Sequence, residues 1–457
     1  MQLHTVLLMS GAWTQALQLL AALSLLILLH EFGHFFFARL FGTRVEKFYL
    51  FFDFLFPFSG LLNFSLFKKK VGDTEYGLGW FPLGGYVKIS GMVDESMDKE
   101  ALAKPPEPWE YRSKKPYQRL FIMLGGIIMN VLVAMVVYAA IFGIWGEKYL
   151  PVQNAKYGIT TDSIGKAVGL QNGDHIVAID GRQIIKFNKI MPDIIFNEAK
   201  SIEVLRNGQI VKIALPAGTI KSILKDPGFI QARIPTVIAE VKKGTPGEKM
   251  KFQKGDSVIA MNGQPVKYFD EFEEVKRDHA GKELSVTVMR NNSPVELRGI
   301  MPADKMLNLG IKGADAFFTY DRTSYGFFGA IGRGFSYTWE QFDFYWQQLK
   351  FLFTSKEVKA SESVGGIVSF GKLFPEEFTW YAFLQLTAFI SIILAFMNLL
   401  PIPGLDGGYV IFLLYEMITR RKVSEKVMEY ATSVGLILLL GLMVYANGLD
   451  IFRLFKN

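Results

Sequence analysis

The sequence predicts a polytopic α-helical membrane protein interrupted by a β-rich segment, and two observations support this prediction. Half of the 457 residues are hydrophobic, and 14% are aromatic. Four charge-poor runs are long enough to cross roughly 30 Å of hydrocarbon, which needs about 20 helical residues. These runs are Trp13–Leu40, Leu120–Trp145, Phe378–Leu400 and Tyr430–Leu449. We expect the first run to be retained, because no basic region of a signal peptide precedes it.

The charge and the cysteine count exclude two classes of partner and ligand. The net charge of +7 is modest, and the basic residues cluster beside apolar runs rather than along one stripe. A nucleic-acid partner is therefore not expected. The chain contains no cysteine, so any metal site must use imidazole and carboxylate ligands.

Basic residues predict how the four spans are oriented. The link between the first two spans contains KKK (Lys68–Lys70) and RSKKPYQR (Arg112–Arg119), and the link between the last two contains RRK (Arg420–Lys422). Lysine and arginine accumulate in cytoplasmic loops. Both links are therefore expected in the cytoplasm, and the long segment between the second and third spans is expected outside it.

That long segment contains an internal duplication. NGDHIVAIDGRQI (Asn172–Ile184) matches KGDSVIAMNGQPV (Lys254–Val266). Each copy has a Gly-Asp turn, a short strand and a tight hairpin turn; the turns are Gly173 with Asp174 and Gly255 with Asp256. The pattern resembles PDZ domains, which we expect at residues 147–224 and 225–304. PDZ folds bind peptides by adding a strand to a sheet edge, although the two copies could equally serve as spacers or size filters.

A metal-binding pattern lies inside the first predicted span, in the letters HEFGH (His30–His34). Positions four apart share a helix face, so both imidazoles can bind one ion, with Glu31 beside its open position. Ionisable groups inside a span are costly and indicate a functional site. The alternative is a polar cluster that joins helices.

Two histidines leave a zinc site one protein ligand short. The letters MNLLPIPGLDGG (Met397–Gly408) close the third span, where Pro401 and Pro403 must end the helix. Asp406 is the obvious third ligand, and we expect it on irregular chain at membrane depth. Asn398 is a neutral group suited to holding a peptide carbonyl or its oxyanion.

Together these motifs resemble the site-2 protease family of intramembrane zinc metalloproteases, above all its bacterial RseP branch, over nearly the whole chain. The resemblance implies a zinc metalloendopeptidase with one Zn²⁺ held by His30, His34 and Asp406. It also implies that Glu31 is the general base and that Asn398 positions the substrate strand.

The family further has a membrane-re-entrant β-hairpin after the first span, which the letters YGLGWFPLGGYVKISG (Tyr76–Gly91) fit. By this resemblance Gly84, Gly85 and Tyr86 position the substrate. RLFIMLGGIIMN (Arg119–Asn130) resembles the family's A-G-P-x-x-N element, and the phenylalanine-rich insertion Lys47–Glu75 resembles versions in Bacteroidetes.

The complete predicted fold class is a polytopic α-helical membrane protein with four transmembrane helices, a re-entrant β-hairpin and two inserted periplasmic PDZ domains. The remaining predicted regions are 1–146, which contains the first two spans, 305–376, which contains an amphipathic helix, and 377–457, which contains the last two spans. The amphipathic stretch begins at Thr323 and is expected to lie on the membrane or on a domain.

The resemblance implies regulated intramembrane proteolysis in the bacterial inner membrane, with the active site toward the cytoplasmic side. Its substrates would be single-pass membrane proteins, namely trimmed anti-sigma factors or remnant signal peptides. The PDZ domains would exclude untrimmed substrates by size or bind a new C-terminus. Two alternatives stay open: a catalytically idle membrane scaffold and a metal or ion transporter. A transporter should have polar residues in several spans, whereas the second and fourth spans are almost wholly apolar.

Overall fold

The computed structural model describes residues 2–55, 62–82, 84–92, 105–225, 228–354 and 366–456. The chain divides into two compact units. The membrane unit comprises the described residues up to Gly146, the segment Ser324–Phe353 and the described residues from 366 onward. The β unit comprises Glu147–Thr323. Residues 56–61 of the phenylalanine-rich insertion lie outside the described residues.

Among the described residues, four helices are long and apolar enough to cross a membrane, in agreement with the four predicted spans. Their membrane-crossing segments are Gly11–Leu40, Pro116–Trp145, Trp380–Leu399 and Lys426–Phe452. In chain order the helices are α1 (Gln2–Leu40), α2 (Pro116–Trp145), α3 (Ser163–Val168), α4 (Ile190–Phe196), α5 (Thr219–Lys225), α6 (Pro246–Lys249), α7 (Phe269–Asp278), α8 (Phe327–Thr354), α9 (Ile367–Gly371), α10 (Trp380–Leu399), α11 (Asp406–Thr419) and α12 (Glu425–Lys456).

Helix α2 organises the membrane unit, because it packs against α1, α10 and α11. Ile122 on α2 belongs to a buried cluster with Ala38 of α1 and Val410 of α11. Further along α2, Ala134 packs with Ile392 of α10. The three elements that contain the predicted site residues therefore meet on one helix.

A four-stranded sheet follows α1 in the membrane unit. Its strands are β1 (Val45–Leu50), β2 (Ser65–Val71), β3 (Thr74–Gly79) and β4 (Tyr86–Ile89), in the order β2-β3-β1-β4. The expected hairpin over Tyr76–Gly91 is wrong in its pairing, because β1 lies between β3 and β4. Strand β1 runs parallel to β3 and antiparallel to β4. The phenylalanine-rich insertion thus supplies strands of this sheet.

Helix α8 is amphipathic, as the aromatic spacing predicts. Ala330, Gly334 and Thr338 are buried, and a Cβ atom on Gly334 would lie 2.6 Å from the backbone nitrogen of Ala139 on α2. The aromatic side chains of Phe328 and Trp339 are largely exposed. One face of α8 therefore packs closely on a membrane-crossing helix, and the other presents aromatic side chains.

The β unit contains two similar four-stranded sheets within the described residues. Its strands are β5 (Glu147–Tyr149), β6 (Ile159–Thr160), β7 (His175–Ile179), β8 (Arg182–Gln183), β9 (Ser201–Arg206), β10 (Gln209–Ala214), β11 (Gln231–Ala232), β12 (Ile238–Val241), β13 (Ser257–Met261), β14 (Gln264–Pro265), β15 (Glu283–Arg290), β16 (Ser293–Ile300), β17 (Leu309–Ile311) and β18 (Asp321–Thr323). The first sheet has the strand order β10-β9-β7-β8, and the second has the order β14-β13-β15-β16. Each sheet covers its own apolar core.

The strand pairs define where each copy ends. Strand β11 pairs with β6, so the chain of the first copy continues past residue 224. Strand β17 pairs with β12, so the second copy likewise continues past residue 304. Each copy is therefore completed by a strand that follows its sheet in the sequence.

Candidate metal centre

Three potential metal ligands from distant parts of the chain lie together in the membrane unit. The Nε2 atoms of His30 and His34 are 3.2 Å apart. The Oδ2 atom of Asp406 is 3.3 Å from the first and 3.4 Å from the second. A tetrahedral zinc ion with bonds of about 2.0–2.1 Å separates its ligand atoms by about 3.3–3.4 Å. The triangle therefore has the dimensions of one zinc ion's ligand set.

The Asp406 carboxylate gives a second, independent sign of a cation site. Its Oδ2 atom is buried and has no hydrogen-bond partner among the described residues. A buried polar atom without a partner costs free energy unless something binds it. Imidazole and carboxylate are ligands that zinc accepts. These residues therefore fit zinc in both geometry and chemistry.

A main-chain contact fixes the tautomer of His34. Its Nδ1 atom lies 2.8 Å from the carbonyl oxygen of Ile122 on α2. Because a carbonyl oxygen only accepts hydrogen bonds, Nδ1 carries the proton and donates it. The Nε2 atom then presents a lone pair toward Asp406, which is the form of imidazole that binds a metal.

Glycines allow α1 and α2 to approach closely enough for this contact. A Cβ atom on Gly33 would lie 2.1 Å from the carbonyl oxygen of Gly125. A Cβ atom on Gly126 would lie 2.5 Å from atoms of both imidazole rings, His30 Cε1 and His34 Nε2. The glycine pair in α2 therefore gives the imidazoles their space, a role the sequence interpretation did not assign to it.

The end of α10 and the start of α11 hold Asp406. Helix α10 ends at Leu399, before Pro401, and Gly404 has a φ of +95°. The expectation that Asp406 lies on irregular chain is wrong, because Asp406 is the first residue of the helix α11. A Cβ atom on Gly407 would lie 2.2 Å from the Leu400 carbonyl oxygen. The glycine after the aspartate thus lets the loop fold tightly against the new helix.

Glu31 lies beside the ligand triangle, between α1 and the edge strand β4. A Cβ atom on Gly85 would lie 3.5 Å from the Glu31 Cγ atom and 2.8 Å from the Tyr49 carbonyl oxygen. Gly85, which directly precedes β4, and the predicted base are therefore immediate neighbours.

The other two predicted positioning residues, Gly84 and Tyr86, pack within the sheet. A Cβ atom on Gly84 would lie 2.5 Å from the ring of Phe52. The hydroxyl of Tyr86 donates a hydrogen bond of 2.9 Å to Asp53 Oδ1. Burial and the nearby Asp53 carboxylate raise the pKa of Tyr86, so this hydroxyl remains a donor. Leu83 of the same turn lies outside the described residues.

Asn398 lies in the last turn of α10, one residue before the helix ends. Its side chain is partly exposed. In the part of the chain that the structure describes, its amide makes no hydrogen bond to another residue. The group therefore has both its donor and its acceptor available.

The Gly-Asp turns of the β unit have a structural role in both copies. Gly173 and Gly255 have φ angles of +95° and +94°. Asp174 accepts two bonds of 2.7 Å from Arg206. The equivalent Asp256 accepts bonds of 2.8 and 2.7 Å from Arg290. The sequence interpretation missed both arginines, although the Arg-Asn pair at the end of each matched strand could have identified them.

The HEFGH motif and the Asp406 carboxylate meet in a bundle of helices that are apolar enough to cross a membrane. This combination is typical of one class of protein, the zinc metalloproteases of the membrane. The profile of peptidase family M50 matches residues 18–442. The chain therefore belongs to peptidase family M50 and is a zinc-dependent protease that acts within the membrane.

Several curated relatives match over almost the whole chain. The Regulator of sigma-E protease RseP of Escherichia coli and the Protease RseP of Yersinia pestis are each 30% identical over 473 residues, which cover 98% of this chain and 100% of each relative. A Neisseria meningitidis protein with a provisional zinc metalloprotease name is 28% identical over 455 residues, covering 95% of this chain and 98% of its own.

Proposed function

We propose that His30, His34 and Asp406 hold one zinc ion and that Glu31 is the general base of peptide hydrolysis. The observation that supports this most strongly is the triangle of ligand atoms with sides of 3.2, 3.3 and 3.4 Å. When bound, zinc lowers the pKa of a water molecule toward neutrality and polarises a carbonyl group. The Glu31 carboxylate takes the water's proton and later gives it to the leaving amine.

The substrate is presented as an extended strand along β4. A peptide bond inside a helix is shielded by its own hydrogen bonds, so the substrate helix must unwind before attack. Strand β4 lies at the end of the order β2-β3-β1-β4, and its outer side has no partner strand among the described residues. Strand addition at a free edge gives main-chain hydrogen bonds without sequence specificity. The glycines Gly84 and Gly85, which precede β4, leave room for the substrate strand to approach Glu31.

Asn398 is the second residue that we assign to the substrate strand. Its amide holds a carbonyl oxygen of the substrate strand or the oxyanion that forms at the scissile bond. Its partly exposed position in the last turn of α10, a few residues before Asp406, supports this role. The sheet β1–β4 is the family's membrane-re-entrant element and enters the bilayer from the cytoplasmic side.

The protein sits in a bacterial inner membrane with its zinc site toward the cytoplasm and the β unit in the periplasm. The basic residues Lys68–Lys70, in the largely exposed strand β2, support this orientation. The chain has no cysteine, so a Lys69→Cys variant carries a single thiol. In intact cells an impermeant thiol reagent should leave that cysteine unlabelled; labelling from the periplasm would reverse the orientation.

The two copies in the β unit are PDZ domains, the first completed by β11 and the second by β17. Matching main-chain bonds support their equivalence, because Gly173 and Gly255 donate 2.8 Å bonds to the carbonyls of Ile159 and Ile238. The pair excludes substrates with large periplasmic domains or binds the C-terminus left by a first cleavage.

The substrates are single-pass membrane proteins that another protease has already shortened. The likeness to relatives named as regulators of sigma-E supports anti-sigma factors as one class, and remnant signal peptides are the other. Proteins that accumulate in the membrane of a Glu31→Gln strain, and disappear when the wild-type chain is restored, will identify them.

The residue roles are tested with purified full-length protein and a transmembrane substrate. Glu31→Gln should retain zinc and lose cleavage, because the carboxamide cannot take a proton. His34→Ala should lose both zinc and cleavage. Lys69→Cys is a matched control that should keep both. Cleavage by Glu31→Gln at the wild-type rate would contradict the assignment of the base.

A further inference from the structure

Helix α2 contacts both imidazoles of the metal centre through one stripe of residues. Ile122, Gly126 and Asn130 are spaced four apart and therefore lie on one helix face. The Ile122 carbonyl accepts from Nδ1 of His34 at 2.8 Å. Eight residues further along α2, the Asn130 amide lies 3.1 Å from Nδ1 of His30. Each imidazole thus has its outer nitrogen against α2 and its Nε2 atom toward Asp406.

Contacts with α10 and complete burial fix the position of Asn130. Its residue is fully buried. Its main-chain carbonyl oxygen accepts a hydrogen bond of 2.8 Å from the hydroxyl of Ser391 on α10. Ser391 is also fully buried. A buried asparagine with a fixed main chain cannot turn its side chain to water. Its side-chain amide therefore stays in contact with His30.

The orientation of that amide decides which nitrogen of His30 is protonated. Nδ2 of Asn130 faces His30 Nδ1, while the buried Oδ1 atom has no hydrogen-bond partner among the described residues. An amide nitrogen cannot accept a proton, so this orientation suits only an unprotonated Nδ1. A half-turn of the amide brings Oδ1 to the same place, where it accepts from Nδ1–H. The two ends of the amide are nearly equal in size, so the hydrogen-bond network selects between the two orientations.

We propose that Asn130 is a positioning residue of the metal centre, whose Oδ1 atom accepts from Nδ1–H of His30 and so directs the Nε2 lone pair at the metal. This inference rests on the proposed ligand set. Both imidazoles then donate Nδ1–H to an acceptor on α2, since Nδ1 of His34 donates to the Ile122 carbonyl oxygen. Partners of this kind typically contribute 10- to 100-fold to metal affinity.

The test measures zinc affinity of the full-length protein in detergent by competition with a chelator of known affinity. Asn130→Leu, which keeps the volume but has no acceptor, should weaken zinc binding about 10- to 100-fold. Asn130→Asp keeps an acceptor and should bind zinc within about threefold of the wild type. Ser391→Ala, which leaves the side chain of Asn130 in place, is the matched control and should have a smaller effect than Asn130→Leu.

A second measurement separates positioning from catalysis. Because a positioning residue acts only through His30, saturating zinc should restore kcat of Asn130→Leu, with KM unchanged. Wild-type zinc affinity in Asn130→Leu, or equal weakening in Asn130→Leu and Asn130→Asp, would overturn the inference. If instead His34→Ala bound zinc normally, the proposed function itself would fail, so the two failures are distinguishable.

Discussion

Both units of the molecule bury carboxylates, but these carboxylates differ in their hydrogen-bond partners. In the β unit, Asp174 and Asp256 are 2% and 1% exposed, and each accepts two hydrogen bonds from an arginine. Each also accepts from a main-chain amide. In the membrane unit, Oδ2 of Asp406 faces two imidazoles and has no hydrogen-bond donor in the described chain. We infer that the fully paired buried carboxylates are structural, whereas the unpaired one, beside other metal-ligating atoms, belongs to the proposed ligand site.

Glu416 tests whether pairing, rather than location in the membrane unit, makes a carboxylate structural. It lies one-tenth exposed, 2.6 Å from Arg119, and joins α11 to α2. Glu416→Ala should lower the free energy of unfolding by about 3–5 kcal/mol, because it leaves a buried guanidinium unpaired. Thermal unfolding in detergent measures this, with zinc counted per folded chain. A folded Glu416→Ala protein that lost zinc would break the distinction between paired and unpaired carboxylates.

The corresponding change in the β unit is Asp174→Ala. It removes two charge-assisted bonds to Arg206, whose side chain is 20% exposed, and should cost about 2–3 kcal/mol of local stability. Amide hydrogen exchange in β7 and β9 of the full-length protein measures this loss. Strands of the second copy are the internal control and should keep their protection. Unchanged exchange in β7 and β9 would show that the pair does not support the fold.

Gly126→Ala changes the unpaired site without changing any polar group. The added methyl would lie 2.5 Å from atoms of both imidazoles, so it should cost about 1–3 kcal/mol by overpacking and weaken zinc binding. Gly143→Ala on the same helix is the matched control, because its methyl would make an ordinary contact at 3.4 Å. Chelator competition on both variants measures the difference, and equal zinc affinities would contradict the packing of Gly126 on the ligands.

The smallest effect is expected for an exposed pair. Glu296 and Arg298 are 3.0 Å apart, with side chains 48% and 67% exposed. Water and salt screen such a pair, so Glu296→Ala should leave amide exchange in β15 and β16 unchanged within error. A loss of protection as large as that of Asp174→Ala would show that burial does not control the strength of these pairs.

Local patterns in the sequence predicted the parts of the fold that depend on local chemistry. Apolar runs located the four spans, and the third, predicted at Phe378–Leu400, is Trp380–Leu399 in the structure. Helical spacing placed His30 and His34 on one face. The helix α11 was missed because its 14 residues are too short to register as a span.

Features that depend on distant residues were not predictable from one sequence. The strand β1 is inserted between β3 and β4 through parallel pairing with β3, which no local signal encodes. Arg206 donates a hydrogen bond to Asp174, which lies 32 positions earlier in the chain. Asn130 reaches His30 across 100 positions, so only the packing of α1 on α2 reveals it.

The most direct test of the central claim compares two buried aspartates in one measurement. Zinc content and amide exchange are measured on full-length Asp406→Ala and Asp174→Ala. Asp406→Ala should lose zinc while β7 and β9 keep their protection. Asp174→Ala should keep zinc while those strands lose protection. An Asp406→Ala protein that retained one zinc ion per chain at wild-type affinity would contradict the proposed role of Asp406.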